Sequence, residues 1–176
     1  MNDVGARTDP HALIVMGVSG SGKTTVGRDL ALRLRWMFED GDAFHPPANV
    51  EKMQSGHPLN DDDRRPWLEA IAAEIDRTLA ANRHLVVACS ALKRAYRDII
   101  VGKRTGVRLV YLRGDRDVIM TRLRARRGHF MPASLLDSQF ATLQEPTAEE
   151  RAIVVDIDAS VAAIVDAIVR QLRPAA

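Results

Sequence analysis

One short stretch restricts the fold of this chain more than any other. It reads GVSGSGKT from Gly17 to Thr24 and fits the pattern G-x-x-x-x-G-K-[ST] at every fixed position. An apolar run over residues 13–16 precedes it and predicts a buried strand, and apolar residues at helical spacing follow it from Thr25 to Arg35. A loop between a strand and a helix directs its backbone N–H groups and the positive end of the helix dipole at one anion. The stretch therefore predicts a phosphate-binding loop in an α/β fold.

The residues of this loop have expected roles toward a nucleotide. Lys23 would contact the β- and γ-phosphates as a catalytic residue, and the Thr24 hydroxyl would bind Mg²⁺. The alternative is a turn rich in glycine and serine that fits the pattern by chance, and the flanking strand and helix argue against it. The expected phosphate-binding residues are Gly17, Ser19, Gly20, Ser21, Gly22, Lys23, Thr24 and Thr25.

Composition narrows the class of protein further. The 176 residues are 46% hydrophobic and 27% charged, which is typical of one globular domain, expected here over residues 12–173 after a loose tail over 1–11. Because 25 Lys and Arg face 23 Asp and Glu, no nucleic-acid partner is implied. No apolar run approaches the length of a membrane span, and the single Cys89 excludes an intrachain disulfide. We expect a cytoplasmic protein without a membrane partner.

Apolar runs and helical spacing alternate along the rest of the chain. Further strands are predicted at residues 36–40, 85–89, 107–112 and 153–157, and further helices at about 50–54, 65–81, 93–102, 117–127, 133–143 and 161–172. Asp62 or Asp63 is expected to cap the helix from about Arg65, with Pro66 in its first turn. Five strands alternating with helices predict a parallel sheet that is covered by helices on both faces.

Two carboxylates follow the second predicted strand in the turn Asp40-Gly41-Asp42. In an open α/β sheet, ligands bind outside the carboxyl ends of the strands, so these carboxylates, the phosphate-binding loop and residues 90–93 should border one crevice. Phosphoryl transfer needs a base for the acceptor hydroxyl and oxygen ligands for Mg²⁺. Asp42 is the expected base, and Asp40 is expected to hold Mg²⁺ directly or through water. The alternative, that Asp-Gly-Asp is only a turn, stays open.

Arginines are dense near the middle of the chain, at positions 122, 124, 126 and 127, just before the break Gly-His-Phe-Met-Pro. This pattern predicts a mobile helical lid over about 122–142. Arg122 and Arg126 share one helix face and are expected to bind the ATP phosphates, with Arg126 also acting in catalysis. The alternative is a solvated basic helix surface. Lys93, Arg94 and Arg97, which open another helix, also favour anion binding, because a stabilising charge there is more often acidic.

Three longer segments carry a resemblance to a known family. They are D-G-D-x-x-H-P-x-x-N-x-x-K-M-x-x-G-x-P-L-x-D-x-D-R-x-P-W-L from Asp40, C-S-A-L-K-R-x-Y-R-D from Cys89, and G-H-F-M from Gly128 with S-Q-F-x-x-L-Q-x-P from Ser138. Together they resemble the small gluconokinases that use a phosphate-binding P-loop. The resemblance covers about residues 13–172, so it extends over practically the whole predicted domain.

The resemblance implies ATP-dependent phosphorylation of D-gluconate at its 6-hydroxyl, with ATP and Mg²⁺ as cofactors. It implies a three-layer α/β/α fold similar to that of shikimate and nucleoside monophosphate kinases, with sheet order 2-3-1-4-5, a helical lid and a homodimer. Arg64 can hold the sugar-acid carboxylate through two parallel hydrogen bonds. We add His129 to the sugar-acid site that the resemblance implies, which consists of Asp42, His45, Lys52, Arg64, Lys93 and Arg97.

One feature differs from most P-loop enzymes, since the third strand runs into Ser90 without the usual aspartate for Mg²⁺. Gluconokinases are similar at this point, and Asp40 is the nearest alternative supplier of a carboxylate. Competing interpretations are a kinase for another small hydroxy acid such as shikimate, a kinase for a nucleotide, and a nucleotide-dependent switch. The four lysines lie outside the [NT]-K-x-D pattern of GTPases, which argues against the switch.

Overall fold

A five-stranded parallel sheet forms the centre of the computed structural model, which describes residues 9–125 and 133–172. The strand order is β2-β3-β1-β4-β5, which confirms the predicted order 2-3-1-4-5. Residues 1–8 of the expected tail, and the predicted site residues Arg126 and His129, lie outside the described ranges. The strands are β1 (Ala12–Met16), β2 (Met37–Asp40), β3 (Leu85–Ala88), β4 (Val107–Arg113) and β5 (Ile153–Asp156).

Helices connect successive strands, and most lie within a few residues of their predicted positions. Two short 3-10 turns, Gly41–Phe44 and Ala148–Glu150, stand after β2 and before β5. None of the helices in the described ranges combines the length and the apolar character needed to cross a bilayer. The helices are α1 (Lys23–Leu34), α2 (Pro47–Gln54), α3 (Asp61–Ala80), α4 (Arg94–Ile100), α5 (Arg116–Ala125), α6 (Ala133–Thr142) and α7 (Val161–Leu172).

Both faces of the sheet are buried along its central strands β3, β1 and β4, as the alternation of strands and helices predicts. Along β1, Leu13 and Val15 pack into an apolar cluster with α1, α5, α6 and α7. The side chains of Ala12, Ile14 and Met16 point to the other face and pack with α3 and α4. All five side chains are fully buried, which explains why β1 reads as a continuous apolar run rather than as an alternating one.

Helix α3 begins at Asp61, earlier than the predicted start near Arg65. Asn60, rather than Asp62 or Asp63, caps it: the Asn60 side chain accepts a hydrogen bond from Asp63 N at 2.8 Å, and the Asp63 carboxylate accepts one from Asn60 N at 2.9 Å. This capping box satisfies N–H groups that a helix start otherwise leaves unpaired. Pro66 therefore lies inside α3 and not in its first turn, so one helical hydrogen bond is missing there.

The expected N-terminal tail ends before His11, which is packed at the amino ends of the strands. His11 N donates to Gly106 O at 2.8 Å, and the His11 ring stacks on that of His84 with 4.6 Å between centroids. Trp36 packs against His84 at 4.7 Å. Burial and the neighbouring His11 imidazole lower the pKa of His84. This group of rings lies at the edge of the sheet opposite the phosphate-binding loop.

Candidate functional site

A cleft of about 830 Å³ opens at the carboxyl ends of the central strands, where an α/β sheet binds its ligands. The volume lies in the range of small-molecule sites. The loop lines one wall, the segment from β2 to α3 lines the other, and α5 and α6 contribute apolar and amide groups. The lining includes Ser19, Gly20, Gly22, Lys23, Thr24, Asp40, Asp42, His45, Met53, His57, Arg64, Trp67, Cys89, Ser90, Leu123, Leu135 and Gln139.

The loop wall is built from backbone geometry. Gly20 and Gly22 have φ of 82° and 94°, values that favour glycine, and Gly22 is the N-cap residue of α1. Ser21 is fully buried beneath the loop, where its N–H donates to Val18 O at 3.2 Å. Lys23 Nζ donates to the same carbonyl at 3.1 Å, so the lysine lies across the loop. The loop is thus folded around a concave surface of main-chain groups, as phosphate binding requires.

Oxygen ligands for a magnesium ion meet where the two walls join. Thr24 Oγ1 donates to Asp40 Oδ2 at 3.0 Å, and Asp40 Oδ1 accepts from Asp42 N at 3.1 Å. A hydroxyl and a carboxylate suit Mg²⁺, which takes few protein ligands and completes its shell with water and phosphate oxygens. In keeping with this, no cluster of three or more His, Cys, Asp or Glu among the described residues could hold a metal ion. Thr24 and Asp40 therefore fit a magnesium ion that is bound together with a nucleotide.

His45 lies against Trp67 in the acceptor wall, the segment from β2 to α3. The two rings are stacked with centroids 4.3 Å apart, and Trp67 Nε1 donates to Gly41 O at 2.7 Å. Trp67 is 2% exposed, so it forms a rigid support for the imidazole. This contact fixes His45 relative to the turn that carries Asp42, and the two side chains line the same cleft.

The buried amide of Asn49 determines the tautomer of His45. Asn49 Nδ2 donates to Asp63 O at 2.8 Å and lies 3.4 Å from His45 Nδ1. Because an amide nitrogen can only donate, Nδ1 accepts and the neutral ring carries its proton on Nε2. Burial and the charge of Arg64 lower the pKa of His45, against an opposing effect of Asp42. At pH 7 His45 is therefore a neutral hydrogen-bond donor rather than a cation.

Of the four lysines and arginines expected in the sugar-acid site, Arg64 lines the cleft, and it also lies over the Tyr96 ring at 5.9 Å. Lys52 pairs with Asp63 at 2.6 Å, and Lys93 pairs with Asp61 at 2.8 Å. The hydrogen bond from Lys93 lowers the pKa of Asp61 and raises that of Lys93. Neither lysine is among the residues that line the cleft, and both support the first turn of α3 beside Arg64.

Arg97 does not reach the cleft, which corrects its expected contact with the sugar acid. Its side chain is 1% exposed, and its Nε and Nη2 donate to the Glu150 carboxylate at 2.5 and 3.1 Å. Nη1 donates to Ala91 O and Leu92 O at 3.0 and 3.2 Å. A cation that opens a helix suggested an external anion, but the anion it faces belongs to the chain itself. Arg97 thus ties α4 to the 3-10 turn before β5.

Two of the predicted phosphate ligands also lie away from the cleft. The Arg122 guanidinium donates through Nη2 to Ile157 O, which holds α5 to the end of β5. Thr25 is exposed on α1 and is not part of the lining. Gly17 and Ser21 lie beneath the loop and shape it: a Cβ on Gly17 would come within 2.7 Å of Ser21 Oγ. Ser19, Gly20, Gly22, Lys23 and Thr24 remain as the loop residues that line the cleft.

The floor of the cleft contains the one cysteine. Cys89 follows β3, is 2% exposed and carries a free thiol. Burial raises the pKa of this thiol to about 12. Ser90 follows it at the position where most P-loop enzymes carry an aspartate, and Asp40 lies at the end of β2, the strand next to β3 in the sheet.

Several side chains that build this site were not among the predicted site residues, and Trp67, Asn49 and Gln139 make the most specific contacts. Trp67 is one of the buried residues of α3, and its indole N–H needs a partner when buried. Asn49 is 5% exposed, and Gln139 binds Ser19 of the loop at a sequence separation of 120 residues. All three stand at fixed positions of the segments that carry the resemblance, which is the signal that could have identified them, although their partners come from distant segments.

Comparison with known proteins gives consistent relatives over nearly the whole chain. The family model described as shikimate kinase matches residues 19–173. The thermoresistant gluconokinase of Escherichia coli (strain K12) is 45% identical over 166 residues, which are 94% of this chain and 95% of that protein. The gluconokinase of Gluconobacter oxydans (strain 621H) is also 45% identical, over 93% of this chain and 92% of that protein.

Solved structures agree with these sequence matches. The crystal structure of a gluconokinase from Sinorhizobium meliloti 1021 superposes with a TM-score of 0.84 at 45% identity, covering 93% of this chain and 92% of that one. A shikimate kinase from Bacteroides thetaiotaomicron superposes with a TM-score of 0.63 at 18% identity, covering 92% and 97%. The second likeness supports the fold alone.

Proposed function

The chain belongs to the gluconokinases, within the wider shikimate kinase family, and we therefore propose that it transfers the γ-phosphoryl group of ATP to the 6-hydroxyl of D-gluconate. The products are 6-phospho-D-gluconate and ADP. The observation that carries the proposal is one cleft in which a phosphate-binding loop faces a carboxylate, a neutral imidazole and an arginine. A phosphate donor and a polyol acid therefore have complementary groups on opposite walls.

Asp42 is the proposed general base. The 6-hydroxyl oxygen attacks the γ-phosphorus in line with the bond to ADP, and its proton passes to the carboxylate as the new oxygen–phosphorus bond forms and the old one breaks. The hydrogen bond from Asp42 N to Asp40 supports this role, since it fixes the turn that carries the base. Lys23 offsets the negative charge of the phosphate oxygens. Arg126, proposed as a further catalytic residue, lies outside the described residues.

Thr24 and Asp40 are the proposed protein ligands of Mg²⁺. A bound Mg²⁺ would supply positive charge that offsets the negative charge of the phosphate oxygens during transfer. The 3.0 Å hydrogen bond between the two side chains supports the assignment, because it already holds two oxygen donors side by side. The hydroxyl and the carboxylate need no large movement to share a cation.

Arg64 and His45 are proposed to recognise the acceptor. The guanidinium of Arg64 can bind the gluconate carboxylate through two parallel hydrogen bonds, and it lines the same wall as Asp42. His45, as a neutral donor, can bind a sugar hydroxyl without adding a second positive charge. Lys52 and Lys93 are proposed to act indirectly, since their ion pairs with Asp63 and Asp61 hold the helix turn that carries Arg64.

The cellular setting follows from the proposed reaction. ATP is supplied in the cytoplasm, so we propose that the protein works there, with D-gluconate as its small-molecule partner. A homodimer, which the resemblance implies, stays a prediction that light scattering on the purified protein would test.

A panel of acceptors tests the proposed function. The protein is mixed with Mg-ATP and, separately, gluconate, shikimate, nucleoside monophosphates and other sugar acids, and ADP release is followed. We expect rapid turnover with gluconate and a background rate without an acceptor. Turnover of shikimate or of a nucleotide in place of gluconate would contradict the substrate assignment, and equal ADP release with no acceptor would indicate an ATPase or a switch.

A further inference from the structure

We propose that Gln139 is a positioning residue of the phosphate-binding loop, which it holds through Ser19 so that the Ser19 hydroxyl can donate to a phosphate oxygen. The proposal rests on the function proposed above in taking the loop as the ATP site. The two residues are 120 positions apart in sequence, so only the fold brings them into contact.

The orientation of the Gln139 amide follows from its two contacts. Ser19 N donates to Gln139 Oε1 at 2.7 Å, and Gln139 Nε2 donates to Ser19 Oγ at 2.9 Å. A backbone N–H can only donate, so the amide oxygen must face Ser19 N, and this leaves Nε2 to face the hydroxyl. One lone pair of Ser19 Oγ is thereby used, and the hydroxyl keeps its own proton for another acceptor.

The position of Gln139 on α6 indicates that this contact is specific. Leu136, one turn earlier, is fully buried in the core and anchors the same side of the helix. Gln139 and Leu135 both line the cleft, so α6 presents this side to the ligand space as well. A partly buried amide between apolar neighbours needs hydrogen-bond partners, and Ser19 supplies two of them.

Helix α5 holds the next loop residue from the other side. A Cβ on Gly20 would lie 2.8 Å from Leu123 Cγ and 3.0 Å from Ile119 Cγ2, so α5 packs directly onto the Gly20 backbone. Ser19 and Gly20 are therefore held between a polar contact from α6 and an apolar contact from α5. The apolar contact restricts the position of the Gly20 backbone. The polar contact restricts the position of Ser19 and also sets the direction in which its hydroxyl donates.

The same contact refines the expected role of Ser19. Its N–H is occupied by Gln139, so its contribution to a phosphate in this arrangement comes from the side chain rather than the backbone. Removing the Gln139 amide would free the N–H but release the hydroxyl to rotate. Nucleotide affinity should therefore fall when either side chain is truncated, and the two losses should not add.

Equilibrium binding of a non-hydrolysable ATP analogue with Mg²⁺ tests the proposal by titration calorimetry. We expect Gln139→Leu and Ser19→Ala each to raise the Kd about tenfold, which corresponds to the loss of one or two hydrogen bonds. The double variant should have the same Kd as the weaker-binding single variant. Gln139→Glu should bind the nucleotide more weakly than Gln139→Leu. Its carboxylate would accept the hydrogen bond of the Ser19 hydroxyl in place of a phosphate oxygen, and it would add negative charge beside the phosphates. Ser138→Ala, the exposed neighbour on α6, is the control and should bind as the wild type does.

An unchanged Kd in Gln139→Leu, additive losses in the double variant, or a normal Kd in Gln139→Glu would each overturn the proposal. Tighter binding by Gln139→Leu would overturn it as well, because the amide would then be competing with the phosphate for Ser19. A general structural role is distinguished by the KM for gluconate, which we expect to stay unchanged. Because nucleotide binding is measured without gluconate, failure of the wild type to turn over gluconate would refute the substrate assignment and leave this test intact.

Discussion

The two walls of the cleft are constructed in different ways. The loop wall is a contiguous run, Gly17 to Thr24, that works through backbone N–H groups and positive φ angles. The acceptor wall draws Asp42 and His45 from the 3-10 turn after β2 and Arg64 from α3, and it depends on side-chain contacts such as the Trp67 stack. The backbone groups of the loop wall depend on one loop conformation, so a change in that conformation affects all of them. The side chains of the acceptor wall can be substituted one at a time. Substitutions in the two walls should therefore have separable kinetic effects.

The largest effect is expected for Asp42→Asn, which removes the proposed base from the acceptor wall and keeps its size. We expect kcat to fall about 10²–10⁴-fold, the usual contribution of a general base, with nucleotide affinity near that of the wild type. Steady-state rates with gluconate and calorimetry with ADP measure the two quantities. Asp62→Asn, an exposed carboxylate in the first turn of α3, is the control. Activity near the wild-type level in Asp42→Asn would remove Asp42 from the base role.

Arg64→Ala should have the next largest effect and should be confined to the acceptor wall. Loss of a charge-assisted bidentate contact is expected to raise the KM for gluconate by about 10–100-fold, with the KM for ATP little changed. Arg65→Ala is the matched control, since Arg65 is exposed and only loosely paired with Glu69 at 3.8 Å. The reverse pattern, a raised KM for ATP alone, would contradict the assignment.

Gly20→Ala probes the loop wall with a smaller change. Alanine at a φ of 82° is strained by about 1–2 kcal/mol, and its Cβ would in addition overlap Leu123. Gly56→Ala is the control, because Gly56 has the same φ of 82° but no atom within 4 Å of the added Cβ. We expect both variants to lose stability in urea and only Gly20→Ala to bind nucleotide more weakly, about tenfold. Equal nucleotide affinity in the two variants would show that contact with α5 does not position the loop.

The smallest expected effect is a pH dependence of the free energy of unfolding. It comes from the stacked rings of His11 and His84, which lie far from both walls. The pKa of His84 is lowered in the folded protein, so the unfolded chain binds the proton more tightly. The free energy of unfolding should therefore be highest above the ordinary histidine pKa of about 6.5 and decrease as the pH falls below it. Urea titrations at pH 7.5 and 5.5 measure this change, and His84→Gln should flatten it. A steeper loss of stability in the variant would contradict the interpretation.

The sequence predicts the two walls with unequal success, for the same reason that they differ in construction. The loop and its two neighbouring elements are local: eight consecutive residues define the phosphate site, and the apolar pattern locates β1 before it and α1 after it. The acceptor wall needed a resemblance, because nothing in the spacing of His45 and Arg64 states that a turn and a helix will bring them together. The sheet order likewise came from the resemblance and is confirmed by the strand pairing.

The errors have a common physical origin. Arg97 and Arg122 were expected to bind external anions, yet each is satisfied within the chain, by Glu150 and by the carbonyl of Ile157. A cation needs an acceptor, but sequence does not say whether a ligand or a distant segment supplies it. Asn60 was likewise overlooked as the cap of α3, because three aspartates follow it and each is also a good N-cap residue.

The buried thiol of Cys89 can be used to measure opening of the folded protein. A thiol with a pKa near 12 at the floor of the cleft is almost entirely protonated at neutral pH, so a soluble disulfide reagent can label it only in molecules whose floor has opened. The labelling rate then measures how often the folded protein opens enough to expose the Cys89 thiol. A ligand that binds only the closed form and is present at 100 times its Kd would slow the labelling about 100-fold. The labelling rate of this one cysteine therefore reports the binding of nucleotide and of sugar acid without any added dye or tag.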